Sequence, residues 1–213
     1  MPGRAAALLL TGRPAVGGCP PGVAPEAFAR ALAEDVVDLI SALPGLHPVV
    51  AYAPGARDLA TAMTWPDTTL LELPAGGGPL PVLAALAERG YAEGAVLAPD
   101  APDLPDLLVA KVFSGLAGAP VAVVPATDPG RPPAGAAGLV VLGCRLPAPN
   151  WLRPDGADLD LPDAVDRLRR AAPARRDLVV APAWRRLRTP SDLSLLDPGL
   201  EGWEATRALL SGR

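Results

Sequence analysis

Two carboxylates, Asp100 and Asp103, follow a short apolar run and could together hold a divalent cation. The run, Gly94 to Ala98, has no polar interruption, which is the pattern of a parallel strand covered on both faces. Asp100 then lies just past the carboxyl end of that strand, where open α/β sheets bind ligands. Asp103 is expected to begin the next helix, with Pro105 in its first turn. Mg²⁺ prefers one or two carboxylates plus substrate phosphates, so the pattern favours a metal or ribose site. The alternative is a turn acid at Asp100 and a capping acid at Asp103, and the local pattern alone favours this structural interpretation.

Two glycine-rich segments stand near predicted ligand-binding edges. The first, residues 12–22, contains Gly12, Arg13, Gly17 and Gly18 and follows the first predicted strand, where α/β nucleotide proteins wrap phosphates with backbone amides. It contains neither G-x-G-x-x-G nor the lysine of a P-loop, so the motif alone is weak evidence. The second, residues 76–78, can cradle a ligand or serve as a flexible connection, and we favour the connection.

Strand and helix patterns alternate along the chain, which is the signature of an α/β fold. The predicted strands are Ala5 to Thr11, His47 to Ala53, Thr68 to Leu73, Gly94 to Ala98, Pro120 to Pro125, Gly138 to Leu142 and Asp177 to Ala181. The predicted helices are Pro25 to Leu43, Arg57 to Met63, Leu80 to Arg89, Asp106 to Leu116, Pro162 to Ala172 and Gly202 to Leu210, with a further helix start at Thr189 capped by Asp192. We expect a three-layer sandwich with a mostly parallel central sheet and Gly138 to Leu142 antiparallel. The first and fourth strands should be neighbours, bringing Thr11 to Arg13 and Asp100 to opposite lips of one crevice.

Length and composition exclude several classes of protein. The 213 residues suit a single domain, 1–213. The net charge of −4, from 19 basic and 23 acidic residues, offers no basic face for nucleic acid. No apolar run approaches the roughly 20 residues of a membrane span. Cys19 and Cys144 are far apart and lack a metal-binding pattern, which makes a cytoplasmic location the default expectation. The sole histidine, His47, disfavours a Ser-His-Asp hydrolase.

Four motifs, taken in order, carry a family resemblance. They are Asp100-Ala-Pro-Asp103-Leu-Pro after a strand, Pro125-Ala-Thr-Asp128-Pro-Gly130, the strand Gly138-Leu-Val-Val-Leu-Gly143, and Thr189-Pro-Ser-Asp192-Leu. The chain resembles the small bacterial glycosyltransferase-A-like proteins, which are nucleotide-diphospho-sugar transferase-like and related to phospholactate and molybdenum-cofactor guanylyltransferases. The resemblance covers most of the chain. It implies a GT-A fold that acts on a nucleotide or nucleotide sugar and a small-molecule acceptor.

Carried over to this chain, the resemblance assigns roles to individual residues. Asp100 would hold Mg²⁺ or Mn²⁺ and the nucleotide, with Asp103 beside it as a second catalytic carboxylate. Asp128 would lie in the acceptor-side turn and orient or deprotonate an acceptor hydroxyl. Nucleotide phosphates would be held by the first glycine-rich segment, through Thr11, Gly12, Arg13, Gly17 and Gly18.

The departures from the family pattern concern charge. The family's first loop carries several cations, of which only Arg13 remains here, and its closing D-x-D is replaced by Arg186-Leu187-Arg188. Transfer chemistry depends on metals and cations that stabilise charge on the leaving group. An arginine fork binds phosphate bidentately, so Arg186 and Arg188 could replace a metal.

Two functional hypotheses follow. The first is a nucleotide-sugar or nucleotidyl transferase, in which Asp100 keeps its lone pairs for a metal and has few structural partners; Asp100→Asn would then change stability by no more than about 0.5 kcal/mol. The second is a catalytically silent relative that acts as a binding or partner-interaction module. Pairing of Asp100 with Arg186 or Arg188, or filling of the base position by Pro20 and Pro21, would remove the site of the first hypothesis. The base, sugar, acceptor and oligomeric state are not predicted.

Overall fold

Eight strands and six α-helices alternate in the computed structural model, which describes residues 3–11, 16–127 and 138–212. The strands are β1 (Arg4–Leu10), β2 (Leu46–Tyr52), β3 (Thr69–Glu72), β4 (Glu93–Leu97), β5 (Val121–Thr127), β6 (Leu139–Arg145), β7 (Leu178–Val180) and β8 (Trp184–Arg185). The helices are α1 (Pro25–Ala42), α2 (Arg57–Ala62), α3 (Pro79–Glu88), α4 (Asp106–Leu116), α5 (Ala164–Ala171) and α6 (Glu204–Leu210), with 3₁₀ turns at Val16–Gly18, Arg175–Asp177 and Pro190–Leu195. None of the helices within these described residues is long and apolar enough to cross a membrane.

One sheet contains all eight strands, in the order β3-β2-β1-β4-β6-β5-β7, with β8 beside the end of β5. All neighbouring pairs are parallel except those that β6 makes with β4 and β5. The expected adjacency of the first and fourth strands is confirmed, with Leu8 of β1 opposite Leu97 of β4. The antiparallel entry of β6 is confirmed as well.

Apolar cores cover both faces of the sheet, which gives the predicted three layers. One core packs α1, α2 and α4 against the sheet, and includes Val36, Ala60 and Val112. The other lies under α3 and α5 and includes Leu83 and Leu168. Strands enclosed in this way are apolar, as β1 and β4 are after their first residues Arg4 and Glu93, because neither face meets water.

A third, smaller core joins the closing segment of the chain to α1. Phe28 and Leu32 of α1 pack with Leu187, Leu196 and Trp203. Trp203 therefore packs on α1.

Asp35 in α1 holds the start of α6 through hydrogen bonds to its backbone. Its carboxylate oxygens accept the backbone N–H groups of Ala205 at 2.8 Å and Thr206 at 3.0 Å. Burial raises the pKa of Asp35 to about 6, although the hydrogen bonds from Thr206 and Ala205 oppose the shift. The C-terminal helix is therefore held by a buried acid that titrates near neutrality.

Local details of the predicted elements differ in three places. The helix Asp106 to Leu116 has its predicted bounds, but Asp103 does not begin it: Pro105 is in the capping position, so Asp103 bonds elsewhere. The element that starts at Thr189 is a 3₁₀ turn, and Asp192 caps it as predicted by accepting the backbone N–H groups of Arg188 and Thr189. The two-residue strand β8 was not predicted.

Candidate functional site

A cavity of about 1010 Å³ opens at the carboxyl ends of β1 and β4. Its described walls come from Thr11 after β1, Asp100 after β4, the glycine segment 76–78 with the start of α3, the segment 154–160, and Arg186 and Arg188 after β8. A parallel sheet collects the carboxyl ends of its strands at one edge, and this is where α/β proteins bind their ligands. The volume reaches the upper end of the range of small-molecule sites.

Asp100 is buried at the base of this cavity in a bidentate ion pair. Arg186 places Nε at 2.5 Å from Oδ1 and Nη2 at 3.0 Å from Oδ2. The guanidinium fork matches the carboxylate plane, which is the strongest geometry available to such a pair. Only 3% of the Asp100 side chain and 5% of the Arg186 side chain are exposed. Our expectation that Asp100 would be largely free of structural partners was therefore wrong, and the pairing with Arg186 removes the Asp100 metal site of the transferase hypothesis.

The remaining donors of Arg186 are also bonded. Nη1 donates to the carbonyl oxygens of Leu139 at 3.1 Å and Leu159 at 2.9 Å. Nη2 lies 2.9 Å from Oδ1 of Asp160. Four hydrogen bonds and this ion-pair contact therefore hold the Arg186 guanidinium in one position.

Arg188 stands nearer the mouth of the cavity. Its side chain is 31% exposed, with Nη2 at 2.6 Å from Oδ1 of Asp160 and Nε at 3.6 Å from Oδ2 of Asp100. Burial lowers the pKa of Arg188, as does the charge of Arg186, while Asp100 and Asp160 raise it. Two cations and two carboxylates thus form one network, and Arg188 is the cation of this network that reaches the solvent side.

Close backbone packing fixes the segment that carries these arginines. The Leu187 N–H donates to the Asp100 carbonyl oxygen at 2.7 Å. On the other side, a Cβ added to Gly18 would lie 2.7 Å from the Leu187 carbonyl oxygen, and one added to Gly17 would collide with the Arg188 carbonyl oxygen. Real Cβ atoms do not approach this closely, so glycine is required at both positions.

Asp103 lies outside the cavity wall, in a second polar cluster. Its side chain is fully buried and accepts hydrogen bonds from Trp184 Nε1 at 3.2 Å and from Arg185 Nη2. The Arg185 guanidinium stacks on the Trp184 ring, 4.5 Å from its centroid. The expectation that Asp100 and Asp103 face one crevice was wrong, because Asp103 joins the turn after β4 to β8.

The two carboxylates of this network, Asp100 and Asp160, do not fit a divalent cation. Mg²⁺ requires near-octahedral oxygen ligands at 2.0–2.1 Å, whereas both oxygens of Asp100 already face nitrogen atoms of Arg186. The nearby Asp160 shares both arginines. Across the described ranges, no three His, Cys, Asp or Glu side chains are grouped in a way that could hold a metal ion.

The residues predicted to bind phosphate fall into three groups. Thr11 and Gly17 line the cavity, whereas Gly18 is packed against the Leu187 backbone. Gly12 and Arg13 lie outside the described residues, as does Asp128, which follows the last residue of β5. Pro20 and Pro21 are absent from the cavity wall, so they do not fill it.

Sequence reasoning missed two contributors to the site. Asp160 comes from a loosely patterned segment, and only the fold brings it to the arginines. The glycine segment 76–78, interpreted as a connection, lines the cavity and leads into α3, with Gly78 as its capping residue. Its position before a predicted helix and after a predicted strand was the available signal.

Comparison with solved structures identifies the fold. No protein-family model and no curated protein sequence matches the chain. A proposed nucleotide-diphospho-sugar transferase from Desulfovibrio desulfuricans is 19% identical, with a TM-score of 0.66 over 100% of this chain and 98% of that one. CMP:2-keto-3-deoxy-manno-octonic acid synthetase, complexed with CTP, is 12% identical, with a TM-score of 0.55 over 99% of both chains. The Mycobacterium tuberculosis protein Rv0371c, in complex with manganese, is 16% identical, with a TM-score of 0.52 over 99% of this chain and 98% of that one.

Proposed function

The chain has the nucleotide-diphospho-sugar transferase fold, and we propose that its cavity binds a nucleotide or a nucleotide sugar. The observation that carries this proposal is the position of the cavity at the carboxyl ends of β1 and β4, with a glycine segment and a helix start in its wall. Ligands of α/β sheets bind at this edge. The CMP:2-keto-3-deoxy-manno-octonic acid synthetase structure of the same fold contains CTP.

The electrostatics of the wall suit a phosphate group at one side of the cavity. The start of α3, residues 78–81, faces the cavity, and a helix N-terminus carries partial positive charge that favours anions. Pro79 and Pro81 lack N–H groups, so the amides of Gly78 and Leu80 are the donors that this turn can offer. Arg188 also lines this wall, with its charge partly offset by Asp160 and Asp100.

Nucleotidyl or glycosyl transfer to a small acceptor is the activity we propose for the bound ligand. Arg188 would stabilise negative charge developing on the phosphates. Asp128, which follows β5, would orient or deprotonate an acceptor hydroxyl. No step is assigned to a metal, because Asp100 is occupied by Arg186.

The second candidate is a binding module without catalysis. It is favoured by the ion pair between Arg186 and Asp100, because this pair occupies the carboxylate that the sequence resemblance assigned to metal and nucleotide binding. The two candidates share the ligand and differ in turnover. Release of pyrophosphate or nucleoside diphosphate from bound nucleotides, in the presence of a panel of hydroxyl and phosphate acceptors, separates them.

Thermal-shift screening of nucleotides and nucleotide sugars tests the shared part of the proposal. A ligand at 100 times its Kd stabilises the folded state by about 2.7 kcal/mol, which for a domain of this size raises Tm by about 5–10 °C. We expect such a shift with at least one base. If no nucleotide or nucleotide sugar shifts Tm at millimolar concentration, with or without Mg²⁺, the cavity is not a nucleotide site.

A further inference from the structure

We propose that Arg186 takes the place of a divalent cation at Asp100, so that the cavity binds its nucleotide without metal and offers Arg188 to the phosphates. This inference rests on the proposed nucleotide site and specifies how that site handles charge. Its basis is the network formed by Asp100, Asp160, Arg186 and Arg188.

The first step concerns the coordination space of Asp100. A carboxylate bridges to Mg²⁺ through a lone pair of one oxygen at 2.0–2.1 Å. In this protein the two nitrogen atoms of the Arg186 fork lie at 2.5 and 3.0 Å from the two oxygens, and Arg188 Nε approaches Oδ2 at 3.6 Å. A metal ion at Asp100 would face positive charge from both arginines at short range.

The second step concerns the cost of moving Arg186. Its side chain would leave two carbonyl oxygens, those of Leu139 and Leu159, together with two carboxylates. Buried acceptors that lose a donor incur a desolvation penalty, although the Leu159 carbonyl oxygen would keep the Leu139 N–H at 2.8 Å. The backbone bond from Leu187 to the Asp100 carbonyl oxygen holds the same segment in place. Arg186 is therefore a fixed part of the wall and behaves as a built-in counter-ion.

The third step concerns the ligand. The positive charge of Arg186 and the negative charge of Asp100 cancel. A divalent cation bound to one carboxylate would keep an excess positive charge, whereas Arg186 brings no such excess charge to the phosphates. Arg188 is the partly exposed member of the network and lines the cavity wall. A planar guanidinium binds phosphate oxygens bidentately. The phosphates are thus expected at Arg188, on the solvent side of the Asp100 pair.

Titration of the protein with Mn²⁺ alone tests the metal claim directly, by loss of the electron paramagnetic resonance signal of the free aqueous ion. We expect no Mn²⁺ binding at Asp100, meaning that the titrations of the wild type and of Asp100→Asn coincide. Mn²⁺ binding that is present in the wild type and absent in Asp100→Asn would overturn the proposal. Arg186→Asp and Arg186→Gln, each checked for folding by circular dichroism, both remove the guanidinium. Mn²⁺ binding is expected to appear in Arg186→Asp, which adds a carboxylate beside Asp100 and Asp160.

Nucleotide affinity measured by calorimetry in EDTA and in Mg²⁺ tests the second claim. With CTP and UDP-glucose as probes, we expect Kd in the two buffers to agree to within a factor of about two. Binding that needs Mg²⁺ and is lost in Asp100→Asn would refute metal independence while leaving the nucleotide site intact. Failure of every nucleotide in both buffers would refute the proposed function instead, and the Mn²⁺ titration would still decide the metal claim.

Arg188→Gln tests the phosphate contact. Loss of a hydrogen bond to a charged group is expected to weaken nucleotide binding by at least about 10-fold in both buffers. Arg169→Gln is the matched control, because it removes the same charge from an exposed position on α5. Equal affinities for these two variants, with Tm values close to wild type, would exclude Arg188 as the phosphate contact.

Discussion

The substitution Asp100→Asn separates a buried ion pair from a metal ligand by its effect on stability alone. Asparagine keeps the size of the side chain and removes its charge. The Arg186 guanidinium would then be buried with two carbonyl oxygens and Asp160 as its remaining partners. The amide nitrogen of asparagine would also point N–H groups at those of Arg186.

The expected loss follows from the burial of both partners. Breaking a buried pair by removing one charge typically costs about 3–5 kcal/mol, because the other charge remains uncompensated. Since Asp160 still faces Arg186 and its own side chain is 64% exposed, we expect the lower end, about 3 kcal/mol. For a domain of 213 residues this lowers Tm by about 6–12 °C. A free metal ligand would instead give the change of at most about 0.5 kcal/mol that the sequence pattern suggested.

Equilibrium unfolding in urea measures the effect, with an unchanged m value as the condition for comparing midpoints. Asp160→Asn is the control within the same network, and we expect a cost below about 1 kcal/mol because this carboxylate is exposed. In the double variant Asp100→Asn/Arg186→Gln, the loss of unfolding free energy should be smaller than the sum of the losses in the two single variants, by at least about 1 kcal/mol. Asp100→Asn with wild-type stability would show that the pair is not formed in solution and would restore Asp100 as a candidate metal ligand.

Three further predictions concern other parts of the chain. Gly18→Ala should lower the free energy of unfolding in urea by about 1–3 kcal/mol, because its Cβ would lie 2.7 Å from a carbonyl oxygen. Gly118→Ala is the control and should be near neutral, because its Cβ would lie 3.8 Å from its nearest neighbour. Equal losses in the two variants would refute the packing argument. Burial raises the pKa of Asp35 in the folded protein from 3.8 to about 6. The contribution of Asp35 to the free energy of unfolding is therefore fully present below pH 3.8, where the carboxyl group is protonated in both states, and is lost as the pH rises to about 6. At about 1.4 kcal/mol per pH unit, wild-type stability relative to Asp35→Asn should fall by roughly 3 kcal/mol across this window, and a constant difference would disprove the assignment. Burial also raises the pKa of the Cys144 thiol to about 12, so iodoacetamide at pH 8 should modify Cys19 and spare Cys144 in the folded protein, as mass spectrometry of peptides would show; modification of Cys144 at the rate of Cys19 would contradict its burial.

The fold followed from the sequence because its signals are local. Each strand buried on both faces contains an uninterrupted apolar run, as in β1 after Arg4 and β4 after Glu93, and each amphipathic helix shows its period within a few turns. Breakers such as Pro44-Gly45 end the elements near the observed boundaries. The strand β8 was missed because two residues are too few to show a period, and its pairing with β5 depends on tertiary contacts.

The site followed only in part, because its chemistry depends on pairs that are distant in sequence. The position of Asp100 after a central strand was sufficient to place it in the cavity. Its partner Arg186 is 86 residues away, and no local pattern reports a contact of that kind. The same holds for Asp103, which has the spacing of a capping acid but bonds to Trp184 and Arg185.

The negative charge of Asp100 can be neutralised by the Arg186 guanidinium or by a divalent metal ion, and only one of them can be bound at a time. Arg186 and a divalent ion would compete for the same two oxygens, so the apparent metal affinity at Asp100 is the intrinsic affinity reduced by the free energy that holds Arg186 in place. That free energy comes from four hydrogen bonds, the ion pair with Asp160 and a fixed backbone, and therefore from the fold itself. Any condition that loosens the segment 186–188 should consequently raise metal affinity as it lowers stability.

Gly18→Ala, which presses on the Leu187 carbonyl oxygen, provides such a condition without touching either charge. Tighter Mn²⁺ binding in Gly18→Ala than in Gly118→Ala would establish the competition, whereas equal binding would mean that Arg186 stays in place independently of the loop that packs on it.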